Sequence, residues 1–236
     1  MSDRSLSGSI AVITGASRGL GAAAAVALAG AGAHVVLVAR TVGGLEEVDD
    51  RVRAVGGSAT LVPFDLNEHD KIDALAASLF ERFGRTDIIV GNAGILGALT
   101  PVAHLDPKTW GKLLSLNVTA NARLIRAFDP LLRNAAAGRA IFVTASAARR
   151  PEAYWGPYAA TRAALEALVR SWACELERTP VKVNLLDPGE VATGLRAQAF
   201  PGEPAGHAID PTKLGPVFLD LALPTCRRHG QLVSAF

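Results

Sequence analysis

The sequence has few cysteines and no strong excess of either charge. Its 236 residues contain only two cysteines, Cys174 and Cys226, which is too few for a disulfide framework and typical of a reducing compartment. Lys and Arg exceed Asp and Glu by 24 − 22 = 2, so the net charge gives no reason to expect nucleic acid or an anionic membrane as a partner. Half of the residues are hydrophobic and 19% are charged, which favours a globular chain over a disordered one.

Long hydrophobic runs are also missing. The most apolar stretch, residues 10–39, is interrupted by Arg18 and by glycines, so it does not predict a membrane span. The first nine residues, MSDRSLSGS, lack the hydrophobic segment of a signal peptide. The five histidines show no metal-ligand spacing, so we predict no metal site. These absences together predict a cytoplasmic protein.

Short apolar segments alternate with longer, alanine-rich segments along the chain. The short segments are almost continuously apolar, which is typical of strands buried on both faces of a parallel sheet. We assign strands to residues 9–14, 33–39, 58–64, 86–92, 138–145 and 181–187, with 229–235 as a candidate edge strand. We assign helices to residues near 19–31, 43–55, 68–83, 107–134 and 156–178. This alternation predicts a single α/β domain over residues 1–236, with a doubly wound parallel sheet and helices on both faces.

The segment VITGASRGLGAA lies between the first strand and the first long helix. Gly15, Gly19 and Gly21 permit a tight turn and a close approach of the backbone to a ligand. The helix N-terminus that follows offers free N–H groups and the positive end of its dipole to a pyrophosphate. The spacing is G-x3-G-x-G rather than G-x-G-x-x-G, so the segment alone also allows a glycine-rich turn without a ligand.

A tyrosine and a basic residue are spaced by one helical turn in PYAATRAAL. Tyr158 and Arg162 are four residues apart, so both side chains lie on one face of the predicted helix. Tyr158 belongs to the first turn, where the helix dipole favours a phenolate. A tyrosine beside a cation can exchange a proton with a substrate. The alternative is a buried tyrosine with a purely structural hydrogen bond.

These motifs together resemble the short-chain dehydrogenase/reductase family of the compact, single-domain type. The resemblance rests on TGASRGLG, on the NAG at 92–94, on Asn117 and Tyr158, and on the DPG at 187–189, and it spans nearly the whole chain. It implies a Rossmann-type sheet of about seven parallel strands that binds NAD(P). It also implies hydride transfer to or from a small carbonyl or alcohol substrate, with Tyr158 as the acid/base. A homodimer or homotetramer is implied as well.

The resemblance assigns the cofactor contacts by position. The residues that it places against the cofactor are Gly15, Ser17, Arg18, Gly19, Leu20, Gly21, Asp65, Leu66, Asn92, Ala93, Gly94, Tyr158, Arg162, Pro188, Gly189, Val191 and Thr193. Asp65 could instead serve as a helix N-cap, and the segment 188–193 could be a turn without a ligand. Residues 194–209, by their position after the sixth predicted strand, are expected to form a lid over the substrate.

The end of the second predicted strand bears on the choice of cofactor. An acid there would bond the ribose and repel a 2′-phosphate, but this chain has Ala39 followed by Arg40. Arg40 and Arg18, with no acid expected nearby, suit a dianionic 2′-phosphate in charge and in fork geometry. Basic residues at these two positions accompany NADP(H) in the family, so we predict NADP(H). Two solvated surface arginines are the alternative.

The chain departs from the family pattern at two catalytic positions. The family has Y-x3-K, whereas this chain has Arg162, which keeps the charge and can bond the ribose but does not readily release a proton. The family also has a serine 13 residues before the tyrosine to hydrogen-bond the substrate oxygen. Counting back, 158 − 13 = 145, which is Ala145.

Ser146 is the candidate replacement for the missing hydroxyl. Neighbouring side chains on an extended strand point to opposite faces, so Ser146 should point away from the face that Ala145 occupies, unless a bulge or an early strand end turns it back. Asn117 is assigned by the resemblance to hold a water in a proton relay. Losing one oxygen-binding donor typically lowers turnover about 10²–10³-fold. The sequence therefore leaves three functions open: an NADP(H)-dependent reductase with an atypical site, a catalytically weak or silent NADP(H)-binding protein, and another reaction on this fold such as epimerisation or dehydration.

Three further residues are expected near the mouth of the cleft. Arg149 and Arg150 follow the fifth predicted strand and either attract an acidic substrate or are solvated. Trp155 either packs in the core or lines the substrate pocket. None of them identifies the substrate.

Overall fold

A single parallel sheet organises the structure, a computed structural model that describes residues 4–204 and 206–235. Its seven strands lie in the order β3-β2-β1-β4-β5-β6-β7. Their bounds are β1 Ile10–Thr14, β2 His34–Ala39, β3 Ser58–Pro63, β4 Ile88–Gly91, β5 Arg139–Val143, β6 Lys182–Asp187 and β7 Leu232–Ser234. The strand order changes direction between β1 and β4, which is the topological switch point where doubly wound folds bind their ligands.

Helices cover both faces of this sheet. Their bounds are α1 Gly19–Gly30, α2 Val42–Ala54, α3 His69–Phe83, α4 Pro107–Leu113, α5 Ala120–Arg133, α6 Gly156–Glu175, α7 Gly194–Ala199 and α8 Gly215–Ala222. The apolar sides of α1, α2 and α8 pack on one face, and those of α3, α5 and α6 pack on the other. The predicted Rossmann-type α/β fold is therefore confirmed. Within the described ranges, no helix is long and apolar enough to cross a membrane.

The fifth strand is shorter than the sequence predicted. The prediction ran over residues 138–145, but β5 ends at Val143. One more ladder bond joins Thr144 N–H to the Leu186 carbonyl at 2.8 Å. The chain then turns through a single 3₁₀ turn, Ser146–Ala148. This early end decides which side chains after β5 can reach the cleft.

The long helix predicted over residues 107–134 is interrupted. A π-helical segment, Leu114–Thr119, separates α4 from α5. Asn117 lies inside it, and its backbone carbonyl accepts a 2.9 Å hydrogen bond from the Asn121 side chain. Widened turns of this kind frequently occur at functional sites. The sequence assignment of one continuous helix over residues 107–134 did not distinguish this segment.

Candidate active site

A cleft of about 870 Å³ opens where the carboxyl ends of the central strands meet. Most of the residues selected from the sequence line it. These residues are Gly15, Ser17, Arg18, Gly19, Leu20, Arg40, Asp65, Leu66, Asn92, Ala93, Gly94, Ser146, Tyr158, Arg162, Pro188, Gly189, Val191 and Thr193. Gly21 and Asn117 lie behind the cleft wall rather than in it.

The glycine loop after β1 has a conformation that requires glycine. Gly15 and Gly19 have φ angles of 64° and 56°, in the left-handed region that other residues rarely adopt. A methyl group on Gly21 would lie 2.3 Å from the Gly15 carbonyl oxygen. Gly21 therefore allows α1 to begin directly against the loop, although it does not itself line the cleft. The resulting cradle is backbone at the N-terminus of a helix, which suits a phosphate group.

A side-chain brace holds the glycine loop to the end of β4. The Thr14 hydroxyl accepts the backbone N–H groups of Asn92 and Ala93 at 3.0 and 3.1 Å. The Asn92 amide donates back to the carbonyls of Thr14 and Gly15 at 3.0 and 3.3 Å. Asn92 thus fixes the shape of the cradle as well as lining the cleft.

The two arginines expected at a 2′-phosphate have different neighbours. Arg40 lies 3.7 Å from the carboxylate of Asp65, so the expectation of no nearby acid is wrong. The reason is that β2 and β3 pair side by side, which brings the loops after them together. Arg18 instead lies beside Gly194, where an added methyl group would stand 3.7 Å from its guanidinium carbon.

Asp65 is not the N-cap of α3, which begins at His69 after Glu68. Its carboxylate accepts the backbone and side-chain N–H groups of Asn67, both at 2.9 Å. It therefore stabilises the turn after β3 while facing the cleft.

Tyr158 and Arg162 are buried together on α6, with 5% and 3% of their surfaces exposed. The guanidinium carbon of Arg162 lies 5.1 Å from the centre of the Tyr158 ring. One guanidinium nitrogen donates to the Val143 carbonyl at 3.2 Å, at the end of β5. The Nε of Arg162 has no hydrogen-bond partner among the described residues. This Nε is itself buried, and an unsatisfied donor on a buried charge is costly.

Gly94 leaves the space that the guanidinium fills. A methyl group on Gly94 would lie 2.0 Å from Nη2 of Arg162 and 3.2 Å from Oδ1 of Asn117. The cleft-lining Arg162, the glycine cradle and the two further cleft arginines together fit a nicotinamide dinucleotide. Its ribose hydroxyls offer acceptors to Arg162, and its pyrophosphate suits the cradle.

Asn117 joins the loop after β4 to α6. Its Oδ1 accepts the Ile95 N–H at 2.9 Å, and its Nδ2 donates to the Ile95 carbonyl at 3.0 Å. Nδ2 also donates to the Thr161 hydroxyl at 3.1 Å, and that hydroxyl donates to the Tyr158 carbonyl at 2.9 Å. Asn117 is fully buried and acts here as a brace. Its assignment to a relay water stays a prediction.

The early end of β5 brings Ser146 to the cleft. Ala145 is still extended, with φ −156° and ψ 155°, and the turn begins directly after it. Ala145, Ser146 and Ala147 all line the cleft as a result. The Thr144 hydroxyl is occupied elsewhere, because it donates to Glu166 at 2.9 Å. Ser146 is therefore the hydroxyl nearest in sequence to Ala145 that remains available to a substrate.

Arg149 is bound within the protein rather than presented to a substrate. Its guanidinium contacts the carboxylates of both Glu166 on α6 and Asp187 at the end of β6. Both carboxylates are largely buried. Arg149 therefore ties the loop after β5 to two neighbouring elements. Arg150, by contrast, lines the cleft.

The segment after β6 folds back over the cleft. Arg196 on α7 pairs with Glu203 at 2.5 and 2.7 Å, and this pairing lowers the pKa of Glu203 below its ordinary value. The Gln198 amide donates to the Gly97 carbonyl at 3.0 Å, which joins α7 to the loop after β4. The predicted lid, residues 194–209, thus has contacts within itself and with that loop; residue 205 lies outside the described residues.

Several cleft residues were not identified from the sequence. They include the apolar Ile95, Leu116, Leu195, Ala199 and Phe200 and the charged Glu47, Glu152, Glu190 and Arg196. Leu195 and Ala199 lie four residues apart, which is a helical spacing that indicates one face of α7. The sequence predicted this segment as a lid but not which of its side chains face the cleft.

Comparison with known proteins places the whole chain in one group. A family model described as short chain dehydrogenase matches residues 9–204. The uncharacterised oxidoreductase YciK of Escherichia coli (strain K12) is 32% identical over 222 residues, 93% of this chain and 88% of that protein. A solved structure from Pseudomonas syringae has a TM-score of 0.95 at 36% identity, covering 99% of this chain and 97% of that one. A structure from Escherichia coli CFT073 in complex with NADPH has a TM-score of 0.93 at 32% identity, covering 100% and 99%.

Proposed function

The chain belongs to the short-chain dehydrogenase family, and on this premise we propose that it transfers hydride between NADP(H) and a small carbonyl or alcohol substrate. The choice of NADP(H) is supported by Arg18 and Arg40 in the cleft and by the NADPH held in a similar structure. Asp65 lies close enough to Arg40 to neutralise part of its charge. The preference for NADP(H) over NAD(H) therefore depends on whether Arg40 contacts the 2′-phosphate or Asp65.

Each catalytic side chain has a role that follows from its place. Bound NADPH supplies the hydride that forms the new C–H bond, while the carbonyl π pair moves to oxygen. The Tyr158 hydroxyl gives its proton to that oxygen, and takes it back in the oxidative direction. Arg162 lines the cleft, where its guanidinium would hold the cofactor ribose and stabilise the phenolate that remains. Ser146 is the second donor to the substrate oxygen.

The observation that carries this proposal is the buried pair of Tyr158 and Arg162 at the cleft. A tyrosine placed only for packing does not need a cation against its ring. A cation placed only for structure would be paired with an acid, whereas Arg162 lines the cleft and has no ion-pair partner among the residues the structure describes.

A second candidate function is the binding of NADP(H) without turnover. Two observations favour it. Ala145 offers no hydroxyl where the family has its serine, and Arg162 cannot pass a proton inward as a lysine can. The fold and the cradle would bind the cofactor equally well in either case.

NADPH consumption against a broad carbonyl panel tests the two candidates. The natural protein is compared with Tyr158→Phe and with the double variant Ala145→Ser, Arg162→Lys, after NADPH binding by each has been measured by fluorescence. Turnover by the natural protein, lost roughly 10²–10⁴-fold in Tyr158→Phe with binding retained, supports the reductase. A silent natural protein beside an active double variant supports the binding protein.

The remaining expectations are part of this proposal. They are a single domain, a lid at residues 194–209, a location in the cytoplasm and a homodimer or homotetramer. Light scattering on purified protein tests the assembly, and a monomer at micromolar concentration contradicts it. Limited proteolysis with and without NADPH tests the lid, which should be protected by the cofactor.

A further inference from the structure

Three aromatic rings form a continuous wall on the substrate side of the cleft. The Trp155 ring lies 6.0 Å from the Tyr158 ring in an edge-on arrangement at 65°. It lies 5.8 Å from the Phe200 ring, tilted by 37°. All three residues line the cleft. This aromatic wall, Tyr158–Trp155–Phe200, begins at the proposed proton donor and extends to the lid.

The lid end of the wall is held in place. Arg196 stacks on the Phe200 ring, with its guanidinium carbon 4.9 Å from the ring centre. The same guanidinium is fixed by two hydrogen bonds to Glu203. Phe200 nevertheless keeps 42% of its surface exposed. The structure therefore fixes a large ring in position while leaving much of it available for contact.

The loop after β5 contributes small side chains to the same cleft. Ala145 and Ala147 line it, and Ala145 stands where a hydroxyl would otherwise bind the substrate oxygen. Ser146 supplies the hydroxyl donor from this loop, and the two alanines leave its other contacts with the substrate apolar. Pockets of this kind use aromatic side chains for affinity and a few polar groups for orientation.

We propose that the substrate carries an aromatic ring adjacent to its reacting carbonyl or carbinol carbon, and that this ring stacks on Trp155 and Phe200. The inference rests on the proposed function, because Tyr158 fixes which end of the wall meets the reacting carbon. Stacked aromatic pairs gain binding beyond the area that they bury. A saturated ring of the same size buries similar area without that gain, so the wall should distinguish the two.

Binding of two matched alcohols to the NADPH-loaded protein tests the proposal without any turnover. Benzyl alcohol is planar at its ring, whereas cyclohexylmethanol has the same carbon skeleton but is saturated and more hydrophobic. Neither can be reduced by NADPH. We expect benzyl alcohol to bind roughly three- to tenfold more tightly, measured by calorimetry.

Variants locate the preference on the wall. Trp155→Leu and Phe200→Leu keep apolar volume but remove a ring, so each should reduce the preference, whereas Phe200→Tyr should keep it. Phe80→Leu is the matched control, because Phe80 is an exposed phenylalanine on α3 that does not line the cleft. Circular dichroism confirms that each variant is folded.

The outcomes separate this inference from the proposed function. Selective binding of benzyl alcohol without NADPH consumption by any carbonyl would refute the reductase and leave the aromatic site standing. Equal or weaker binding of benzyl alcohol, no detectable binding of either alcohol, or a preference that survives both leucine variants would overturn the aromatic site. A reductase that accepts saturated aldehydes alone would overturn it as well.

Discussion

The guanidinium of Arg162 lies over the Tyr158 ring, 5.1 Å from its centre, and both residues are buried. Its other contacts are the Val143 carbonyl and the backbone at Gly94. Arg162 is therefore oriented from several sides, yet its Nε has no partner among the described residues. Arg162 also lines the cleft, so a ligand there can contact the guanidinium.

Arg162→Met should separate ligand binding from stability. Methionine keeps much of the apolar stem but removes the charge and its donors. We expect NADPH to bind roughly tenfold or more weakly, since hydrogen bonds from a charged group are lost. The free energy of unfolding of the ligand-free protein should stay equal or rise, because an unpaired buried charge is removed. Fluorescence titration and urea denaturation measure the two effects.

The control for this variant is Arg126→Met. Arg126 forms an exposed ion pair with Asp73, so neither quantity should change by much. If Arg162→Met instead destabilised the free protein and left NADPH affinity intact, Arg162 would have a structural role only.

Arg40→Ala should weaken NADPH binding selectively. If Arg40 contacts the 2′-phosphate, its removal costs roughly ten- to a hundredfold in affinity for NADPH and little for NADH. Asp65→Asn should raise the affinity for NADPH by a few fold, because it frees Arg40 from a carboxylate 3.7 Å away. Parallel titrations with both cofactors measure this. Equal losses for NADH and NADPH would place Arg40 outside the 2′-phosphate site.

Ala145→Ser should raise turnover. Ala145 lines the cleft on an extended backbone, so the added hydroxyl can reach the substrate oxygen without a change of fold. The gain expected from one added donor beside Ser146 is up to roughly 10²-fold in kcat. Ala147→Ser is the control, because it adds the same hydroxyl to the same cleft two residues later. No gain, together with a large loss in Ser146→Ala, would mean that Ser146 alone is sufficient and a further donor adds nothing.

Acidification should weaken the fold in part through His34. His34 begins β2, and its ring nitrogens lie 2.8 Å from the hydroxyls of Ser58 and Thr60 on β3. Burial and the nearby Arg82 lower the pKa of His34 in the folded protein. The unfolded chain therefore binds this proton more readily, so the contribution is present above the unfolded pKa and is lost as the pH falls through the folded one.

Urea denaturation between pH 8 and pH 5 measures this contribution. The loss of unfolding free energy on acidification should be smaller in His34→Gln than in the natural protein. Carboxylates also titrate in this range, but they contribute equally to the unfolding free energy of both proteins, so their contribution cancels in the comparison. Identical pH dependence would mean that His34 is protonated equally in both states.

The fold was predictable because its signals are local. The uninterrupted apolar run of β2 requires burial on both faces, and the glycines at 15, 19 and 21 are needed for the turn after β1. The positions of Tyr158 and Arg162 followed from helical spacing on α6. These features depend on neighbours within a few residues.

The contacts that the sequence did not predict join distant segments. Arg40 meets Asp65 only because β3 lies beside β2 at one edge of the sheet. Phe200 meets Trp155 only because the segment after β6 folds back over the cleft. Asn117 braces Ile95 from a widened helical turn, which hydrophobic periodicity does not show. Tertiary geometry of this kind decides the details of the site.

Arg149→Met tests whether the ion pairs of Arg149 with α6 and β6 hold the loop after β5 in position. The variant leaves the buried carboxylates of Glu166 and Asp187 without their shared cation. We expect a loss of about 1.5–3 kcal/mol in the free energy of unfolding, as for other hydrogen bonds to charged groups. Since this loop carries Ala145 and Ser146, kcat should also fall while NADPH affinity changes little.

Arg150→Met is the matched control, with the same substitution at the next residue. Arg150 has no ion-pair partner within the described ranges and lines the cleft, so its variant should change stability by no more than about 0.5 kcal/mol. Urea denaturation of both variants decides the matter. Equal stability losses in the two would show that the pairing with Glu166 and Asp187 contributes little. A stability loss in Arg149→Met with kcat unchanged would mean that the network holds α6 and β6 together without positioning the catalytic loop.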